Sequence, residues 1–79
     1  MHEIRVPKLG MDTTEAEIKA WLVKVGDRVE RGTPLLEVET EKADVVLEAE
    51  VAGVVREIRA AEGSVVTIGS EVIGLIEES

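Results

Sequence analysis

Cysteine, phenylalanine and tyrosine are absent from this chain of 79 residues, which has one tryptophan and two prolines. Without cysteine there can be no disulfide, no thiolate nucleophile and no zinc–thiolate site. A cysteine-free chain fits a cytosol-like compartment; the expected location is the cytoplasm of a bacterium, or the mitochondrial matrix if the source is eukaryotic. No apolar run reaches the roughly 18 residues that a membrane-spanning helix requires. Met1-His2-Glu3-Ile4-Arg5 has neither the apolar centre of a signal peptide nor an Arg/Ser-rich amphipathic stretch, so no targeting segment is expected. Cations are scarce as well: 9 Lys and Arg stand against 17 Asp and Glu, a net charge of −8. That balance argues against nucleic acid or an anionic membrane as partner. No Ser/His/Asp set, glycine-rich phosphate loop or pocketed acid pair can be assembled, so the chain is read as non-catalytic by itself.

What is present is aliphatic and charged. Hydrophobic residues make up 44 % and charged residues 33 %, a globular rather than disordered balance. With almost no aromatics, the core must be Val, Ile, Leu and Ala, and β-branched side chains favour strands. The length predicts one domain, residues 1–79, with a thin core and no deep cleft.

Period-two alternation places strands at 2–6, 16–23, 35–39, 45–51, 54–59 and 72–76, with short ones around Val29 and Val65-Val66. Turns are expected at Gly26-Asp27, Gly32-Thr33-Pro34, Ala52-Gly53, Glu62-Gly63 and Gly69-Ser70. No helical periodicity persists over ten residues, so the fold is all-β. The pattern also repeats with an offset of 37: Gly26 matches Gly63, Gly32 matches Gly69, Val29 matches Val66 and Leu36 matches Ile73. Two such units predict a sandwich or flattened barrel with pseudo-twofold symmetry, because neither could bury its apolar face alone. In both units the alternation breaks to a spacing of three, Ile18 to Trp21 and Val55 to Ile58, which predicts a bulge or a strand crossing between sheets.

Between the two units lies the most informative stretch. Leu36 and Val38 precede, and Val45 and Leu47 follow, the polar turn Thr40-Glu41-Lys42-Ala43. A type I turn tolerates Glu and Lys at its centre without glycine. This predicts a lysine held on a hairpin tip and pointing into water, with the turn on or near the pseudo-twofold axis and the chain ends meeting at the opposite end of that axis. Trp21 is expected as a core or sheet-packing residue. His2 has no partner triad and is assigned no role. The acids Glu37, Glu39, Glu41, Asp44, Glu48 and Glu50 alternate outward, so they do not converge on a metal. They form a solvated face, from which Glu39, Glu41 and Asp44 are retained as recognition candidates.

Glu39-Thr40-Glu41-Lys42-Ala43 closely resembles the Glu-Thr-Asp-Lys-Ala lipoylation motif of lipoyl domains in the acyltransferase (E2) subunits of 2-oxo acid dehydrogenase complexes. The resemblance covers nearly the whole chain. Val6-Pro7-Lys8-Leu9-Gly10-Met11 with Thr14-Glu15 looks like the family's first strand and loop, and Trp21 to Val29 like its Trp-to-Gly-Asp segment. It implies a flattened barrel of two four-stranded antiparallel sheets, with lipoate in amide linkage on Lys42. The arm would take an acyl group from the E1 decarboxylase to the E2 acyltransferase core and coenzyme A, with E3 dihydrolipoamide dehydrogenase reoxidising it. A lipoate-protein ligase would install it. The resemblance also places the loop from Leu9 to Thr14 beside Lys42 as an element that E1 recognises. Leu9, Gly10 and Met11 thus join Glu39, Thr40, Glu41, Ala43 and Asp44 as recognition candidates, and the isolated domain would be a monomer.

Three departures stand out. Glu41 replaces the usual Asp, Ala16 replaces the glycine that usually follows Glu15, and the acyltransferase core and its Pro/Ala-rich linkers are not in this sequence. A biotin carboxyl carrier shares the logic of a lysine tip, but its signature puts Met on both sides of the lysine, where this chain has Glu41 and Ala43. An unmodified barrel acting as an assembly module would generally lack the Glu-Thr-acid-Lys-Ala turn.

Overall fold

A computed structural model describes residues 1–8 and 13–79. Eight strands form two antiparallel four-stranded sheets, and no helix occurs among the described residues. The strands are β1 (His2–Ile4), β2 (Glu15–Trp21), β3 (Arg28–Val29), β4 (Pro34–Glu39), β5 (Asp44–Glu48), β6 (Gly53–Ile58), β7 (Val65–Thr67) and β8 (Gly74–Glu78). One sheet has the order β1-β8-β6-β3 and the other β5-β4-β2-β7. Exchanging β1 with β5, β2 with β6, β3 with β7 and β4 with β8 turns the first order into the second. The sequence repeat is therefore a structural twofold, and each sheet takes two strands from each half.

The irregularities obey the same symmetry. The β2–β4 ladder shifts between Ile18 and Ala20, and the β6–β8 ladder between Val55 and Glu57, positions related by the offset of 37. The break in alternation is thus a bulge in both halves. An extra residue here bends the strand and keeps both flanking segments facing the core. Gly26 and Gly63 sit at φ 98 and 89, and each donates its N–H across the molecule, to Val55 and Ile18 respectively, at 2.7 Å. A β-carbon is disfavoured in that left-handed region, which explains why both halves keep glycine there.

The two sheets pack face to face as a flattened sandwich, with no ladder closing them into a barrel among the described residues. Backbone hydrogen bonds outside the ladders stitch the corners instead, among them Gly32 N–H to Ala49 O and Gly69 N–H to Val6 O, both 2.8 Å. The core between the sheets is aliphatic, with Val6, Ile18, Leu36, Val38, Val55, Ile73 and Ile76 fully buried. Apolar burial at about 25 cal/mol per Å² is the main favourable term in so small a fold. Leu35 is buried beside Leu36 because the β4–β5 register shifts between Pro34 and Leu36. Both neighbours can then face inward, which simple alternation forbids.

Several boundaries differ from the sequence expectation. β1 ends at Ile4, although Val6 stays buried, because Pro7 has no N–H to extend a ladder. β5 stops at Glu48, where Ala49 turns to exchange hydrogen bonds with the Gly32-Thr33 corner. The last strand starts at Gly74 rather than Val72, and Ile73 N–H bonds to Ile4 O at 2.8 Å instead. Gly53, expected in a turn, opens β6 and is buried there. An added β-carbon would collide with the Glu77 carbonyl and come within 2.9 Å of Ile76 Cγ2. Glycine is required at that position for space.

Symmetry also corrects the placement of the tip. The twofold exchanges the β4–β5 turn with the meeting of β8 and β1, so both lie off the axis, on opposite sides of it.

Candidate functional site

The turn between β4 and β5 is built by its own first residue. Glu39 and Asp44 are the last cross-strand pair of the ladder, and Thr40 N–H donates to Ala43 O at 2.9 Å. The Thr40 hydroxyl donates to the same carbonyl at 3.1 Å. It also accepts the N–H groups of Lys42 at 3.3 Å and of Ala43 at 3.2 Å. One side chain thus satisfies the polar backbone groups that a four-residue turn leaves unpaired. Neither Glu41 nor Lys42 has a positive φ, in keeping with the expected type I geometry. Thr40, retained from the sequence as a recognition candidate, has a structural task.

Glu41, Lys42 and Ala43 are exposed at the centre of this tip. Among the described residues the Lys42 amine enters no ion pair or side-chain hydrogen bond. An amine that is solvated, unpaired and carried on a pinned backbone can reach into another protein's active site and be acylated there.

The strand face beside the tip is acidic, with one cation set into it. Glu15, Glu17 and Lys19 alternate outward on β2, while Glu39 and Asp44 flank the turn. Lys19 Nζ lies 3.1 Å from Asp44 Oδ2, reaching from β2 past β4 to β5. The hydrogen bond and charge of Asp44, with smaller contributions from Glu39 and Glu37, raise the Lys19 pKa above its ordinary value. Lys19 is therefore occupied by a carboxylate partner, whereas the Lys42 amine has none among the described residues. The sequence reading missed this pair, since the contact depends on strand order; the outward phase of Glu15-Glu17-Lys19 was the available signal. Of the recognition candidates, Asp44 is thus held by a partner, whereas Glu41 is exposed.

Thr13, Thr14, Glu15 and Glu17 share a shallow groove of about 220 Å³ with Glu39, Thr40 and Glu41. The end of the loop after β1 therefore adjoins the tip, as far as Thr13 and Thr14 show. Leu9, Gly10 and Met11 lie outside the described residues. Away from the tip, Trp21 packs against the core and donates Nε1–H to Ala60 O at 2.7 Å, a packing role as expected. His2 Nε2 lies 3.4 Å from Glu50 Oε1.

Comparison with known proteins agrees with this geometry. The model of the biotin/lipoyl family, described as "Biotin-requiring enzyme", matches residues 2–75. The dihydrolipoyllysine-residue succinyltransferase component of the Bacillus subtilis 2-oxoglutarate dehydrogenase complex is 46 % identical over 78 residues, covering 99 % of this chain and 18 % of that protein. The dihydrolipoyllysine-residue acetyltransferase component of the Corynebacterium glutamicum pyruvate dehydrogenase complex is 45 % identical over 76 residues, covering 96 % of this chain and 11 % of that protein. The chain thus spans less than a fifth of the length of either relative. The solution structure of the lipoyl domain of the Azotobacter vinelandii 2-oxoglutarate dehydrogenase complex superposes with a TM-score of 0.78 at 30 % identity, covering 96 % of this chain and 95 % of that one. This chain belongs to the biotin/lipoyl family, and within it to the lipoyl domains of the kind found in E2 acyltransferases.

Proposed function

We propose that the domain carries lipoate in amide linkage on Lys42 and conveys acyl groups from an E1 decarboxylase to the acyltransferase core of its parent E2, with E3 restoring the disulfide. The observation that carries this reading is the exposed Lys42 amine, without an ion-pair partner among the described residues, on a tip pinned by the Thr40 hydroxyl. When attached, lipoate supplies a dithiolane that accepts an acyl group reductively as a thioester. The protein's part is mechanical. β4 and β5 anchor the base of the arm in a packed sandwich, and the turn keeps Lys42 clear of the sheet. Tethering raises the effective concentration of the arm at successive active sites. Acylation of the amine also removes a positive charge, so the tip becomes more acidic.

Incubation of the apo-domain with lipoate-protein ligase, ATP and lipoate, read by intact mass, tests the proposal. One lipoyl increment on the wild type and none on Lys42→Ala is the expected result. An increment from a biotin ligase but none from the lipoate ligase would reassign the domain to biotin.

A further inference from the structure

The sheet that carries the tip holds one cation on its strands, and the fold aims it. The β2–β4 ladder pairs Ile18 with Val38 and Ala20 with Glu37, which leaves Lys19 as the extra residue of the bulge. A bulge re-aims the side chain it carries. In the other half the β6–β8 ladder pairs Val55 with Ile76 and Glu57 with Leu75. Arg56 is the extra residue there, and Glu77 is the counterpart of Glu39. Arg56 pairs with Glu77, on the strand beside it. Lys19 passes over β4 instead, and its Nζ lies 3.1 Å from Asp44 Oδ2 on the strand beyond. The two halves differ here, and the acid that Lys19 holds stands two residues after Lys42.

Two residues of chain span at most about 7 Å, a distance that the four-carbon stem of a lysine covers. Asp44 is therefore within reach of two amines, Lys19 from the sheet and Lys42 from the turn. A carboxylate that pairs with an ammonium group favours its protonated form. Amide formation needs the neutral form. Its nitrogen attacks an activated lipoyl carboxyl group, the C–N bond forms as the leaving group departs with its electron pair, and the N–H proton passes to solvent. We propose that Lys19 is a positioning residue for the modification of Lys42: by holding Asp44, it withholds that carboxylate from the acceptor amine. This rests on Lys42 being the lipoylated residue. Among the described residues Lys42 has no ion-pair partner, as the proposal requires. The hydrogen bond and charge of Asp44 are also the largest causes of the raised Lys19 pKa.

Lys19→Met keeps the stem and removes the charge, so it tests the proposal beside Lys19→Arg, Asp44→Asn and the double variant. Two rates are read for each protein. One is lipoylation by lipoate-protein ligase, from intact mass; the other is acetylation of Lys42 by limiting acetic anhydride, from peptide mass spectra. An exposed ion pair at Lys42 withholds the free amine about two- to fivefold, so both rates should fall by that factor in Lys19→Met. Lys19→Arg should keep the wild-type rates. In the Asp44→Asn background Lys19→Met should change neither rate, because the competing carboxylate is gone. Glu39 and Glu41 are the same in every variant, so the cycle isolates Asp44. Unchanged anhydride labelling in Lys19→Met would overturn the proposal, and a slower ligase reaction alone would make Lys19 a ligase contact. An equal loss with and without Asp44 would overturn it as well. A wild type that takes no lipoyl group would remove the carrier reading itself, whereas the labelling separately decides the pairing.

Discussion

The two sheets share one plan and differ in what they show to water. Along the β1-β8-β6-β3 sheet and its strand ends four acids pair with arginines, Glu3 with Arg5, Glu30 with Arg28, Glu77 with Arg56 and Glu57 with Arg59, and Glu78 has no such partner among the described residues. The β5-β4-β2-β7 sheet has no arginine on its strands. Its one ion pair, Lys19 with Asp44, leaves Glu15, Glu17, Glu37 and Glu39 without a cationic partner among the described residues. Exposed pairs contribute between nothing and about 1 kcal/mol each, so the fold does not require the neutral face. The symmetry is thus a property of the core and the backbone. The charge difference belongs to the surface, and the acidic face is the one that carries Lys42.

The comparison breaks most sharply at the symmetry mates Ala16 and Gly53. Ala16 is buried at the start of β2 with room for its methyl, whereas Gly53 faces the Glu77 carbonyl. Gly53→Ala should therefore cost about 3 kcal/mol or more by overpacking, whereas Ala16→Gly should cost only about 1 kcal/mol through backbone entropy. Urea denaturation of the two variants checks this asymmetry, and equal losses would refute it.

A smaller effect is expected at the tip. Thr40→Ala removes the acceptor of two N–H groups and one donor to Ala43 O, at a cost of about 1 kcal/mol. Amide exchange should accelerate at residues 40–43 and remain unchanged at Ile18 and Val55. Lipoylation of Lys42 should slow in parallel, because the lysine would no longer be presented in one geometry.

The smallest effect concerns charge. The folded Lys19 pKa is raised by Asp44, so their pairing stabilises the fold fully below the unfolded lysine pKa, and the contribution is lost as pH rises through the higher folded value. Asp44→Asn should lower stability slightly at neutral pH, and the difference from the wild type should vanish in the strongly alkaline range. The neutral-pH difference should also fall with added salt, since the pair is solvent-screened. A gap that widens with rising pH would contradict the assignment.

Much of this architecture was legible because it is written twice. The offset of 37 exposed the twofold, and the shared spacing of three at Ile18–Trp21 and Val55–Ile58 marked both bulges. The alternation around Thr40-Glu41-Lys42-Ala43 placed the hairpin and its exposed lysine. What escaped was set by contacts between strands remote in sequence. Gly53 reads as a turn residue until β8 packs against it. Leu35 falls out of phase with Leu36 and Val38, and only the register shift at Pro34 turns it in. The Lys19–Asp44 pair exists only because β4 lies between β2 and β5.

The central claim is that one lysine of four, Lys8, Lys19, Lys24 and Lys42, is the attachment point. The direct measurement is tandem mass spectrometry of peptides from the enzymatically lipoylated domain. The account predicts the lipoyl mass on the peptide containing Lys42 and on no other. Modification at Lys19, Lys8 or Lys24 with Lys42 left free would contradict it.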